Sequence, residues 1–151
     1  MIKIVNKKNK NEIFSLNQTQ SIFFMNCKDC IFNIPNKINK IIVYNCENIR
    51  LNINSVISSF EIIKSSKLYV LIYGLIMTTQ IDLVKNSNFH YLVPNGYVIS
   101  SGADNVNITT PYNNLILPFN FFLNQYITSI KTFQTKTREE CLDNQGYLLL
   151  N

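Results

Sequence analysis

Glycine and proline are scarce in this chain of 151 residues, four of each, and arginine occurs only twice, as Arg50 and Arg138. Charged residues make up 15% and hydrophobic ones 46%, which excludes a disordered chain held open by its own charge. So few arginines speak against nucleic-acid readout despite a net charge of +5, because base edges and phosphates favour the bidentate guanidinium. Much of the positive charge sits at Lys3, Lys7, Lys8 and Lys10, a solvated N-terminal segment. The single histidine, His90, has no paired serine, cysteine or carboxylate, so general acid–base and nucleophilic chemistry lack a constellation. The longest apolar run, Leu68–Met77, is broken by tyrosine and glycine and falls short of the about 18 residues a membrane helix needs. No secretory signal is legible, and four cysteines without one suit a reducing cytosol. The length suits one domain with a substantial core.

What the chain has instead is repetition. Ile22, Ile41 and Phe60 are spaced by 19 residues, and so are Phe24, Val43 and Ile62. The same step joins Cys27, Cys46 and Ser65; Cys30, Ile49 and Leu68; Phe32, Leu51 and Val70; Ile34, Ile53 and Ile72; and Ile38, Ile57 and Ile76. A fourth copy reads as Ile81, Leu83, Asn86, Phe89, Tyr91 and Val93 after a two-residue insertion, and a fifth as Val98, Ser100, Ala103, Val106, Ile108 and Thr110 after a two-residue deletion. Fixed-period self-similarity marks a solenoid in which each copy is one coil. Within Ile49-Arg50-Leu51-Asn52-Ile53 the apolar residues alternate, the period of a strand with one buried face. No segment has helical periodicity and no leucine-rich signature is present. The expectation is an all-β parallel β-helix of about five to six coils, with like side chains stacked about 4.8 Å apart. Abundant asparagine suits the corners, since it tolerates left-handed backbone and can ladder through its amide.

The organisation expected is one domain over 1–151: an N-terminal cap at 1–21, coils at 22–114, an end plug and ribbon at 115–138, and a tail at 139–151. Met1–Val5 reads as a partial strand and Ile13–Leu16 as a truncated coil closing the stack. Leu115–Leu123, broken by Pro118, suits a plug across the open end. Gln125–Thr137 alternates as an edge ribbon. Because the end of a β-helix exposes unpaired backbone groups, pairing with another copy's ribbon would close it. The expected dimer interface is Gln125, Tyr126, Ile127, Thr128, Ile130, Thr132, Phe133, Thr135 and Thr137. The hairpin has no Asn-Gly turn.

Cys27-Lys28-Asp29-Cys30 has the spacing of a metal or redox motif, but its cysteines belong to inward columns and no second such pair exists. Glu47, Glu61, Asp82 and Asp104 are spread over successive coils and form no acidic cluster. No metal and no cofactor is expected. Met25, Tyr44, Ile63 and Val84 are read as one outward apolar column and Phe23 with Ile42 as another, covered by a terminal segment or left as a protein-binding surface.

Lys37-Ile38-Asn39-Lys40 leads into Asn45-Cys46, then into Phe60-Glu61-Ile62-Ile63-Lys64-Ser65-Ser66-Lys67, with Val70, Gly74 and Ile81 following. This succession resembles the C-terminal domain of cyclase-associated protein, over about residues 13–138 and most densely over 37–92. The resemblance implies a right-handed parallel β-helix, in keeping with the handedness of parallel crossovers. It also implies binding of ADP-loaded monomeric actin, promotion of nucleotide exchange on it, and dimerisation through a swapped C-terminal hairpin. The chain would then be a cytoplasmic, cytoskeletal form restricted to that domain, with no enzymatic activity. Arg138–Asn151 continues past the point where members of the family usually end. The edge expected to meet actin carries Asn45, Glu47, Lys64, Lys67, Lys85, Asn86 and Asn88. A sister group, tubulin-folding cofactor C and related GTPase activators, shares the coil pattern but carries a catalytic arginine where this chain has Ile42, which cannot stabilise a transferring phosphoryl group.

Overall fold

The computed structural model describes residues 1–119 and 124–150. Its strands are β1 (Ile2–Val5), β2 (Asn11–Ile13), β3 (Ser21–Met25), β4 (Lys28–Ile34), β5 (Ile38–Tyr44), β6 (Glu47–Ile53), β7 (Val56–Ile63) and β8 (Ser66–Ile72). They continue as β9 (Thr78–Asp82), β10 (Lys85–Tyr91), β11 (Tyr97–Ser101), β12 (Asp104–Thr109), β13 (Asn114–Ile116), β14 (Tyr126–Ser129) and β15 (Thr135–Thr137). Odd strands from β1 to β11 stack in one sheet and even strands from β2 to β12 in the other, each pair parallel. The chain therefore winds as a parallel β-helix, one odd and one even strand per coil. Both sheets end in antiparallel strands, β13 on β12 and β14 on β11, followed by β15 on β14.

The inward columns form the core. Ile22, Ile41, Phe60, Phe24, Val43 and Ile62 are almost wholly buried under the odd sheet, and Phe32, Leu51, Val70, Ile34, Ile53 and Ile72 under the even one. Each such side chain contributes about 1.5–3 kcal/mol by leaving water. At the N-terminal end Phe14 packs edge-on to Phe24, with ring centroids 5.6 Å apart, and lies 5.7 Å from Phe32. At the other end Leu117 is buried against the core and donates its N–H to the Val106 carbonyl at 2.9 Å. The plug expected at 115–123 is thus described as far as Phe119, and residues 120–123 lie outside the described residues.

Three sequence expectations are corrected. The fourth coil needs no insertion and the fifth no deletion: Phe60 pairs with Thr79 and Ile62 with Ile81, and Thr79 in turn with Val98, so the 19-residue step continues through Thr79, Ile81, Val84, Ser87, Phe89 and Tyr91. Leu83, Asn86 and Val93, expected inside, are exposed. The inward residues here include a threonine and a serine, which a search for apolar columns passes over. For the same reason Val84 is not on the outward face; it is wholly buried in the column of Cys27, Cys46 and Ser65, and Asp82 lies beside Ile63. Lastly, Ile57 is not in the column of Ile38 and Ile76. Ile38 pairs with Val56 and Lys40 with Ser59, a bulge that buries Val56 and extrudes Ile57.

Candidate functional site

The side chains expected to meet a partner lie at the bend from each odd strand to the following even one. That bend is built from two left-handed residues with one inward and one outward residue between them. The first member is Asn26, Asn45, Lys64 and Leu83 in successive coils, with φ of 54°, 50°, 48° and 54°. The second is Asp29, Asn48, Lys67, Asn86 and Asn105, with φ between 50° and 55°. Asparagine and aspartate are the side chains best tolerated there. Gly102, with φ of 62°, takes the first position in the last coil.

Between the two bends sits Cys27, Cys46, Ser65, Val84 or Ala103, all buried. The polar ones bond to backbone at the bend: Cys46 Sγ donates to the Tyr44 carbonyl at 3.4 Å, and Ser65 Oγ donates to Ile63 at 3.0 Å while accepting from the Cys46 N–H at 3.1 Å. Cys30 Sγ donates likewise to the Lys28 carbonyl at 3.2 Å. The spacing of Cys27 and Cys30 therefore follows the bend. The Cys46 thiol is held protonated, since its hydrogen bond with Cys27 and its burial both push it up. Among the described residues, no three His, Cys, Asp or Glu side chains converge on a possible metal site.

Outside, the amides ladder from coil to coil. Asn45 Nδ2 donates to Asn26 Oδ1 at 2.7 Å, Asn48 to Asp29 at 2.7 Å and Asn105 to Asn86 at 2.9 Å. The coil of β7 and β8 ends the first ladder and interrupts the second, with Lys64 and Lys67 at the two positions. Lys67 Nζ is 3.5 Å from a Glu47 carboxylate oxygen, and Lys28 Nζ is 3.9 Å from the other. These pairs are solvent-exposed, so each contributes at most about 1 kcal/mol. Among the described residues Lys64 and Lys85 have no ion-pair partner.

The structure therefore brings the expected residues together. Asn45, Lys64, Lys67 and Asn86 are bend residues of three adjoining coils, Glu47 and Lys85 open β6 and β10, and Asn88 lies two residues past Asn86. Beside Lys67 lies an open depression of about 350 Å³ lined by Tyr69, Asn86, Asn88, Asn105 and Asn107. Sequence reasoning missed Tyr69, Asn105 and Asn107, although the 19-residue step from Asn86 and Asn88 leads directly to Asn105 and Asn107. The Arg50 guanidinium stands over the Tyr69 ring at that border, 5.2 Å from its centre.

Elsewhere the outer face of the odd sheet carries Phe23, Met25, Ile42, Tyr44 and Ile63, each half-buried. Ile42 lies between Phe23 and Glu61 on that face. Glu61 accepts from Lys40 Nζ at 2.7 Å, and partial burial raises the Asp82 carboxyl, with the nearby Glu61 charge adding to it. His90 points outward, its Nδ1 2.7 Å from Thr109 Oγ1.

The residues expected to form a dimer make the β14–β15 ribbon, which in the single chain closes on its own β11. Thr128 and Ile130 are wholly buried and Phe133 packs on the core, while Thr132 is exposed. Thr135 and Thr137 lie in β15, and Thr135 Oγ1 is 2.9 Å from Thr128 Oγ1. A left-handed residue, Phe133 with φ of 53°, turns the ribbon in place of the absent Asn-Gly. Arg138 binds the Gln125 side chain at 2.7 Å, and the tail then folds back through a Leu142–Leu148 bridge. Leu142, Leu149 and Leu150 face Tyr97 and Ile127 across a space of about 260 Å³. Ile127, on the outward column of Ile99, is thereby only 4% exposed.

A stack of parallel coils with an amide- and lysine-bearing edge defines the class as a parallel β-helix. The chain belongs to the family described as "Adenylate cyclase associated (CAP) C terminal", which matches residues 1–137. Cyclase-associated protein from Cryptosporidium parvum is a similar solved structure: TM-score 0.72, 19% identity, 89% of this chain and 88% of that chain covered. At that identity the likeness is one of fold. No curated protein matches the chain.

Proposed function

We propose that this protein binds monomeric actin in the cytoplasm and promotes exchange of its bound nucleotide, with no catalytic residue of its own. The family match over residues 1–137 carries the reading. The bend edge of Asn45, Glu47, Lys64, Lys67, Lys85, Asn86 and Asn88 supports it, because its surplus of lysine complements an acidic partner. Exchange accelerates if the protein binds open or nucleotide-free actin better than the closed ADP form, since only differential affinity shifts such an equilibrium. The working unit in this reading is a homodimer in which the β14–β15 ribbons trade places, each pairing with the other copy's β11 through the bonds it makes at home.

The test is replacement of ADP on actin by a fluorescent ATP, followed with and without the protein. Acceleration that falls as salt rises is expected. Equal rates with and without the protein would sink the reading. Lys64→Glu with Lys67→Glu, both exposed, should lose most of the acceleration and keep the fold. A double variant as active as wild type would move the site elsewhere and leave the function standing.

A further inference from the structure

The stack has a third side, where each even strand passes to the next odd one, and its character changes along its length. In the first coils it is mixed, with Asn36, Lys37, Asn54 and Ser55 beside the exposed Ile13 and Ile57. From the coil of β8 onward it carries Tyr73, Leu75, Met77, Leu92, Val93 and Tyr112, exposed by 43, 62, 63, 41, 49 and 81%. Tyr73 and Leu92 stack directly, since their N–H groups donate to the Ile53 and Ile72 carbonyls one coil below. No lysine, arginine, aspartate or glutamate occurs at 68–81, 86–103 or 105–130.

We infer that this side is a self-association surface whose occupant is the same side of a second copy. Such a surface exceeds what a soluble monomer leaves to water. Its tyrosine, methionine and aliphatic side chains are those of interface centres, where charge is depleted. The six expose roughly 700 Å² per copy, so a two-fold pairing buries about what a stable dimer needs. Neutrality favours a second copy over a charged partner. A two-fold contact sets a patch against itself, and in a chain of net charge +5 an uncharged patch brings no like charges together. The surface also adjoins the ribbon turn, where the Ile130 N–H donates to the Gly96 carbonyl at 3.1 Å, so burial can extend over that turn.

This contact is separate from ribbon exchange, and sedimentation tells the two apart. Wild type and the double variant Leu75→Asp with Met77→Asp are compared over a micromolar concentration series. Both positions are so exposed that the fold should be unchanged by circular dichroism. The variant is expected at half the wild-type mass, and Val93→Lys alone should weaken association in the same direction. A step from dimer to monomer means that the third side associates and ribbons do not exchange; a step from tetramer to dimer means that both do. Equal masses at every concentration overturn the inference, whatever the common mass says of the ribbon. If masses are equal and wild type alone pellets with phosphatidylcholine–phosphatidylserine vesicles, the side faces lipid and the inference is likewise overturned.

Discussion

The Tyr91 hydroxyl lies 2.6 Å from Thr79 Oγ1, and both residues are wholly buried. One hydroxyl from each sheet meets inside the stack, and the apolar surroundings push the phenol pKa well above its ordinary value.

Removing one member of this pair should cost more than removing both. Tyr91→Phe leaves the Thr79 hydroxyl buried without its partner, a loss of about 1–3 kcal/mol. Thr79→Val with Tyr91→Phe should regain most of that. Urea unfolding of the two single variants and the double variant measures the coupling; additive losses would show the bond to be immaterial.

Lys64 and Lys67 occupy bends that suit asparagine, and left-handed backbone costs such residues about 1 kcal/mol each. Lys64→Asn with Lys67→Asn should therefore stabilise the protein, the more so if the new amides join Asn45, Asn48 and Asn86 in continuous ladders. The same variant should slow actin nucleotide exchange. Greater stability with lower activity is the expected pair of results, read by thermal melting and the exchange assay.

Asp82 gives a pH dependence of defined sign. Its folded-state pKa is raised by burial, against the bond it accepts from Gln80, so the folded state binds its proton more tightly than the unfolded chain. The ionised group thus costs stability above its folded pKa, and the cost fades as pH falls toward its unfolded value. Asp82→Asn should raise the melting temperature at pH 7 and show a smaller or no advantage near pH 3. A constant difference across that range would rule out the linkage.

Deleting residues 139–151 uncovers Ile127 while sparing every strand pair. The coils should stay intact by circular dichroism, with a loss of about 1–3 kcal/mol for re-exposing that side chain. Binding of a hydrophobic dye should increase. An unchanged stability and dye signal would mean that the tail contributes no cover.

The 19-residue step from Ile22 through Ile41 to Phe60 determined the coils by itself, and with them most of the core and the edge that carries Lys64 and Lys67. Strand alternation makes burial readable wherever the inward residues are apolar, and a parallel stack turns sequence spacing into spatial neighbours. The inward placement of Cys27 and Cys30 was legible for the same reason. Where inward residues are polar the pattern falls silent. Thr79 is acceptable inside only because Tyr91, twelve residues on, meets it across the core. The bulge at Val56 and Ile57 depends on how two adjacent strands settle, and the cover over Ile127 on where a distant tail folds back. Tertiary packing alone decided these, since each depends on a partner that the local alternation of residues does not identify.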